Sequence, residues 1–157
     1  MMSLKQKTIV LLATGCYVGY IPFAPGTFGS LIGIPLVWLL SNIAPPLSVF
    51  AILLFIPFSF WIAGEAEKIF NKKDSGCIVI DEIAGMLVTF FLIPWSAQNI
   101  LIGFVLFRIF DIAKPFPIGL IDRKLKGGPG VVMDDIMAGV YANAVLRLVL
   151  LFLPGRI

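Results

Sequence analysis

An all-α, polytopic membrane bundle is the fold class this sequence predicts, and three observations carry that prediction. Of the 157 residues, 59% are hydrophobic and only 13% are charged, with a mean hydropathy of +1.02. A soluble domain carries about a quarter charged residues, so composition argues against a soluble core. Long stretches, 8–64 and 83–107, hold no charge at all. All nine acids fall within 65–82 and 108–135, the segments that separate the apolar runs. At about 20 residues per span, four or five membrane helices fit in one domain over 1–157, some of them short or re-entrant.

Taken in order, residues 8–20 predict a short apolar helix lying in or dipping into the interface. A basic start followed by Ala13-Thr14-Gly15-Cys16 faintly resembles a processing signal, but the apolar run before it is too short, and no cleavage is expected. The Pro/Gly loop 22–30 leads into a helix near 28–42. Pro45-Pro46 turns the chain, and 47–64 returns as a second span with Pro57 as a kink. Residues 65–74 read as a charged surface segment. A helix then begins near Ile78 and runs to Pro94.

The stretch 83–107 poses a topological choice. As one span it would put Asp81-Glu82 and Arg108-Asp111 on opposite faces of the bilayer. Pro94-Trp95-Ser96-Ala97-Gln98-Asn99 instead reads as a turn, giving a hairpin of short arms whose charged ends meet. Residues 112–134 read as a polar loop containing Gly127-Gly128-Pro129-Gly130, a flexible connector. Asp134 and Asp135 open a last helix, 135–153. Lys5, Lys7, Lys68, Lys72, Lys73, Arg123, Lys124 and Lys126 flank these spans and predict that the acidic ends face the cytoplasm. Nothing in this charge suggests a nucleic-acid surface.

The chain has no histidine, which removes histidine-based acid/base chemistry and the common zinc sites. Cys16 and Cys77 are expected to be packing thiols. The strongest local signal is an internal echo: Asp81-Glu82-Ile-Ala-Gly85 and Asp134-Asp135-Ile-Met-Ala-Gly139. In each, a carboxylate and a glycine lie four residues apart on one helix face. Such a glycine lets a second backbone approach closely, bringing two acidic helix ends together. Four carboxylates meeting there would repel unless a divalent cation sat among them, and an all-oxygen donor set points to Mg2+. Simple helix capping by each acidic pair is the alternative.

Arg108, Asp111 and Lys114 follow at spacings of three on one helix. Ionisable groups beside lipid are costly and hence functional candidates; Arg108 and Lys114 suit a phosphate, and Asp111 either ligates metal or orients Arg108. Gly26, Thr27 and Ser30 offer backbone donors and hydroxyls at a helix start, a candidate phosphate cradle. Asp74 and Asp122 read as solvated loop acids, and Asn143 as a residue that reaches the acidic site.

Together, Gly19-Tyr-Ile-Pro-Phe-Ala-Pro-Gly-Thr-Phe-Gly-Ser30, Asp81-Glu-Ile-Ala-Gly85, Phe107-Arg-Ile-Phe-Asp-Ile-Ala-Lys-Pro115 and 130–139 resemble the phosphatidylglycerophosphatase A family of bacteria. The resemblance implies a Mg2+-dependent, multi-pass enzyme of the inner membrane with its active site facing the cytoplasm. It would remove the terminal phosphate of the phospholipid phosphatidylglycerophosphate, the last step of phosphatidylglycerol synthesis. On this reading Asp81, Glu82, Asp134, Asp135 and Asp111 hold metal, Arg108 and Lys114 bind phosphate, and water attacks, with an aspartyl-phosphate as the mechanistic alternative. Rival classes fare worse. A CDP-alcohol phosphotransferase would carry a spaced acidic pattern that is missing here, a histidine-dependent lipid phosphatase needs histidine, and a transporter would bury its acids near the midplane.

Overall fold

The longest helices set the architecture of the computed structural model, which describes residues 2–73 and 75–152. Among these there are seven α-helices and no strand: α1 (Leu4–Ala13), α2 (Pro25–Ser41), α3 (Pro45–Phe70), α4 (Ile80–Thr89), α5 (Ala97–Ala113), α6 (Ile118–Lys124) and α7 (Gly128–Phe152), with a 3-10 turn at Val18–Tyr20. The C-terminal helix α7 packs against α3, α4, α5 and α6 and forms the bundle's axis. Two helices, α3 and α7, are long and apolar enough to cross a bilayer; α2 is a shorter apolar helix. Only 22% of the most apolar window of α3 and 33% of that of α7 is buried within the protein. A soluble core helix would be mostly covered, so these faces suit lipid.

The helices alternate in direction. α2, α4 and α7 start at the end of the bundle where α3 and α5 finish. The reversal between α4 and α5 occupies 90–96, and Ser96 caps α5 by accepting the Asn99 N–H at 3.1 Å. The hairpin expected over 83–107 therefore forms, and Glu82 and Arg108 flank the same residue, Gly26. The arm is shorter than its apolar run suggested: α4 stops at Thr89 after 10 residues, about 15 Å at 1.5 Å per residue, half a hydrocarbon core.

Several boundaries differ from the expectations. α1 starts at Leu4, because Ser3 and Gln6 form a reciprocal capping box: the Gln6 N–H donates to Ser3 Oγ at 3.2 Å and the Ser3 N–H to Gln6 Oε1 at 2.8 Å. It ends before Gly15, Cys16 and Tyr17, all with positive φ. α2 starts at Pro25, whose fixed φ suits the first helical position. α3 absorbs residues 65–70, expected as a separate surface segment, and ends on Asn71 in the left-handed region.

The polar loop expected over 112–134 is largely helical. α5 runs to Ala113, Ile118 is fully buried at the start of α6, and α7 begins at Gly128. Gly128 is no flexible connector: a Cβ there would lie 1.8 Å from the Phe60 carbonyl oxygen, so its lack of a side chain lets α7 pack on the α3 backbone.

The contact between α4 and α7 rests on two further glycines. A Cβ at Gly139 would meet the Gly85 carbonyl oxygen at 2.5 Å, and one at Gly85 would meet the Asp135 carbonyl oxygen at 2.8 Å. Gly139→Ala should therefore lower thermal stability in detergent by about 1–3 kcal/mol through overpacking; an unchanged unfolding midpoint would refute this close approach.

Candidate active site

Three carboxylates meet where the start of α4 packs against α7. Asp81 and Glu82 lie in the first turn of α4, Asp135 lies about two turns into α7, and one oxygen from each lies within 4.8 Å of the others. The Gly85–Gly139 approach one turn deeper is what brings these helix ends so close. Asp81 Oδ1 accepts the Glu82 backbone N–H at 3.0 Å. Among the described residues, no lysine or arginine pairs with any of the three. Two ionised carboxylates 4 Å apart repel by about 4 kcal/mol at an effective dielectric of 20, so the cluster calls for protons or a cation. Glu82 Oε2 is buried with no hydrogen-bond partner. That unpaired oxygen and the all-oxygen donor set fit a hard divalent ion such as Mg2+.

Arg108 projects from the last turns of α5 beside this cluster. It pairs with Asp111 at 2.7 Å, and its Nη1 lies 3.4 Å from Ser30 Oγ. The Ser30 hydroxyl in turn donates to the Gly26 carbonyl oxygen at 2.8 Å. Arg108 Nε is buried without a hydrogen-bond partner, a donor not spent within the protein. Gly26 sits between Glu82 and Arg108: a Cβ there would displace the ends of both side chains. Asp111 is paired with Arg108, the orienting role that the sequence offered for it, and it is not one of the three clustered carboxylates.

Lys114 occupies a different position from the one expected. Its ammonium lies 2.7 Å from Asp134 Oδ2 and 3.3 Å from Asp122 Oδ2, tying α5 to α7 and α6. Burial alone would lower its pKa, but the Asp134 and Asp122 carboxylates outweigh it and hold the group above the ordinary lysine value. Lys114 is therefore a fixed cation and no proton acceptor at neutral pH. Asp122, read from sequence as a solvated loop acid, is an ion-pair partner on α6.

Asp134 points away from the three-carboxylate cluster. Because α7 starts at Gly128, Asp134 and Asp135 are adjacent helix positions, about 100° apart around the axis. Asp135 faces α4 and Asp134 faces Lys114, with Asp134 Oδ1 buried and unpartnered.

The start of α2 supplies fewer free donors than the sequence suggested. The Thr27 and Phe28 amides already donate to the Ala24 carbonyl oxygen at 3.0 and 3.3 Å. Asn143 does not reach the acidic site; its amide donates to the Thr89 and Phe91 carbonyl oxygens at the far end of α4. Asp74 lies outside the described residues.

The comparison with known proteins fits this constellation. A family model described as phosphatidylglycerophosphatase A matches residues 11–150. The chain belongs to that family. Every residue named in the site falls inside the match. Among relatives, phosphatidylglycerophosphatase A of Escherichia coli (strain K12) is 39% identical over 137 residues, covering 87% of this chain and 80% of its own. Phosphatidylglycerophosphatase A of Haemophilus influenzae is 41% identical over 143 residues, covering 88% and 86%. A protein of Bacteroides thetaiotaomicron named as a "Putative phosphatidylinositol-3-phosphatase" is 37% identical over 142 residues, covering 85% and 87%. No solved structure matches the chain. Members bearing the family's name are phosphatases acting on a phosphate monoester, the class of enzyme to which this chain is assigned.

Proposed function

We propose that this protein is a Mg2+-dependent phosphatase of the bacterial inner membrane that hydrolyses phosphatidylglycerophosphate to phosphatidylglycerol and inorganic phosphate. The observation that carries the reading is the juxtaposition of three unneutralised carboxylates, Asp81, Glu82 and Asp135, with the Arg108 guanidinium at one end of an apolar bundle. The donor set supports a cation held by Asp81, Glu82 and Asp135, with Asp111 beside them. When bound, Mg2+ would supply charge neutralisation at the phosphoryl oxygens and activation of the attacking water. Arg108, braced by Asp111 and Ser30, presents its guanidinium to the phosphate and stabilises the equatorial oxygens during in-line displacement. Gly26 keeps the approach between Glu82 and Arg108 open, and Thr27 lines the start of α2. Lys114 adds positive charge at the rim while holding Asp134 and α6 in place.

Water is the proposed nucleophile. The chain has no histidine and the cysteines lie outside the carboxylate cluster. Water's oxygen bonds to phosphorus as the bond to the glycerol oxygen breaks. A site carboxylate takes the water proton, and the departing glycerol oxygen gains one. Positive charge on Lys5, Lys7, Lys68, Lys72, Lys73, Arg123, Lys124 and Lys126 supports a cytoplasmic orientation for this end.

The test is phosphate release by the purified protein in detergent. Turnover of phosphatidylglycerophosphate that needs Mg2+ and stops with a chelator is expected. No release, or release indifferent to the chelator, would refute the reading. Phosphatidylinositol 3-phosphate, assayed in parallel, is expected to turn over more slowly; the reverse order would reassign the headgroup.

A further inference from the structure

The two acidic helices run parallel, and their facing residues match at a constant offset. Asp81 faces Asp135, Gly85 faces Gly139, and Thr89 faces Asn143, each rung one helical turn deeper than the last. The echo visible in the sequence is therefore a register. Its deepest rungs are polar. Asn143 Nδ2 donates to the Thr89 carbonyl oxygen at 2.8 Å and to that of Phe91 at 3.0 Å. Arg147, one turn further on, donates from Nε to Asn143 Oδ1 at 2.9 Å and from Nη2 to the Phe91 carbonyl oxygen at 2.8 Å, with Leu92 O at 3.4 Å.

These bonds solve a problem that the shortness of α4 creates. A helix of 10 residues that starts at headgroup level ends inside the hydrocarbon. The following backbone satisfies the Met86 and Val88 carbonyls but donates no bond to those of Thr89, Phe91 or Leu92, where the hydrocarbon supplies no water. Arg147 lies twelve residues beyond Asp135, about 18 Å along α7, a depth at which a guanidinium is costly unless it is partnered. Here it meets the Phe91 and Leu92 carbonyl oxygens just beyond the negative end of the α4 dipole. Cap and cation satisfy each other.

We propose that Asn143 and Arg147 are positioning residues for the phosphatase. They fix the depth and register of α4 on α7, so that Asp81 and Glu82 arrive opposite Asp135. Magnitudes decide why this matters. A one-turn slip moves α4 by about 5.4 Å, more than the 4.8 Å within which the three carboxylate oxygens lie. Packing of small residues alone does not forbid such a slip, whereas the directional bonds from Asn143 and Arg147 at the far end of α4 do. The inference rests on the cation site proposed above.

The experiment uses the full chain, purified, as wild type, Arg147→Lys, Arg147→Met and Asn143→Leu. Mn2+ affinity is measured by the electron paramagnetic resonance of free Mn2+, without substrate, alongside thermal unfolding and the Mg2+ dependence of phosphate release. Arg147→Met and Asn143→Leu should remain folded yet bind Mn2+ about 10- to 100-fold more weakly, the range seen for groups that orient metal ligands. Their half-saturating Mg2+ should rise by the same factor. Arg147→Lys keeps a donor and a charge and should stay close to wild type. Asn143→Leu leaves Arg147 in place and so keeps the test open if Arg147→Met fails to fold.

Wild-type Mn2+ affinity in both disruptive variants overturns the proposal, as does a loss no greater than the fraction unfolded. If the wild type releases no phosphate while the variants still lose Mn2+, the proposed function falls and the positioning role stands. Normal turnover with unaltered metal affinity in the variants removes the positioning role alone.

Discussion

Asp135→Asn is expected to cut phosphate release by at least about 100-fold while leaving the folded protein intact or more stable. Asparagine keeps the shape of the side chain and removes one of three negative charges that share a site without a basic partner. Each close pair of ionised carboxylates costs about 4 kcal/mol at an effective dielectric of 20, so losing one relieves repulsion in the absence of metal. The same change weakens the cation site, and a loss of this size exceeds most effects of removing groups that merely orient ligands. The two consequences have opposite signs and are separately measurable. Wild type should gain about 2.7 kcal/mol of stability at Mg2+ concentrations a hundredfold above its dissociation constant, and Asp135→Asn should gain little. Full turnover, or an undiminished stabilisation by Mg2+, would take Asp135 out of the site.

The second large effect concerns Arg108. Lysine preserves the charge but not the fork, and it cannot reach Asp111, Ser30 and a phosphate oxygen at once. A hydrogen bond to a charged group contributes about 1.5–3 kcal/mol, and 1.4 kcal/mol is tenfold. Arg108→Lys should therefore lower kcat/KM by about 10- to 100-fold, with kcat falling as well as KM rising, because the guanidinium opposes charge that grows in the transition state. Steady-state kinetics on the lipid substrate separates the two parameters. A variant with wild-type kcat and only a raised KM would confine Arg108 to ground-state binding.

The parts of this site that were legible in the sequence are those written as spacing. Asp81 to Gly85 and Asp135 to Gly139 share one interval, and that interval is one turn of helix, so the meeting of α4 and α7 followed from periodicity alone. The reversal at 90–96 was legible because Pro94, Ser96 and Asn99 interrupt an apolar run, and in the fold Ser96 caps the next helix while the Asn99 side chain donates back to the Pro94 carbonyl oxygen. Asp134 is adjacent to Asp135 in sequence, yet in the fold it pairs with Lys114 instead of joining the cluster. Neighbours on a helix diverge by about 100°, and Asp134 lacks the extra methylene with which Glu82 reaches back to the cluster. The start of α7 at Gly128 was hidden by composition. A Gly/Pro run reads as loop until the partner backbone is known, and here that partner is the Phe60 carbonyl on α3. Lys114 has no local signal for its partners, since Asp122 and Asp134 become its neighbours only when α6 and α7 pack together. Ser3 and Gln6 carry a capping signal in the sequence, upstream of the apolar run that starts at Thr8.

The claim on which the mechanism stands is that carboxylates from α4 and α7 share one cation. Crystals of the wild-type protein grown with Mn2+ and measured for anomalous scattering test it most directly. A peak bonded to oxygens of Asp81, Glu82 and Asp135, at roughly the 2.0–2.2 Å of a hard-cation bond, is the expected result. A Mn2+ peak elsewhere with those three side chains unligated would contradict it.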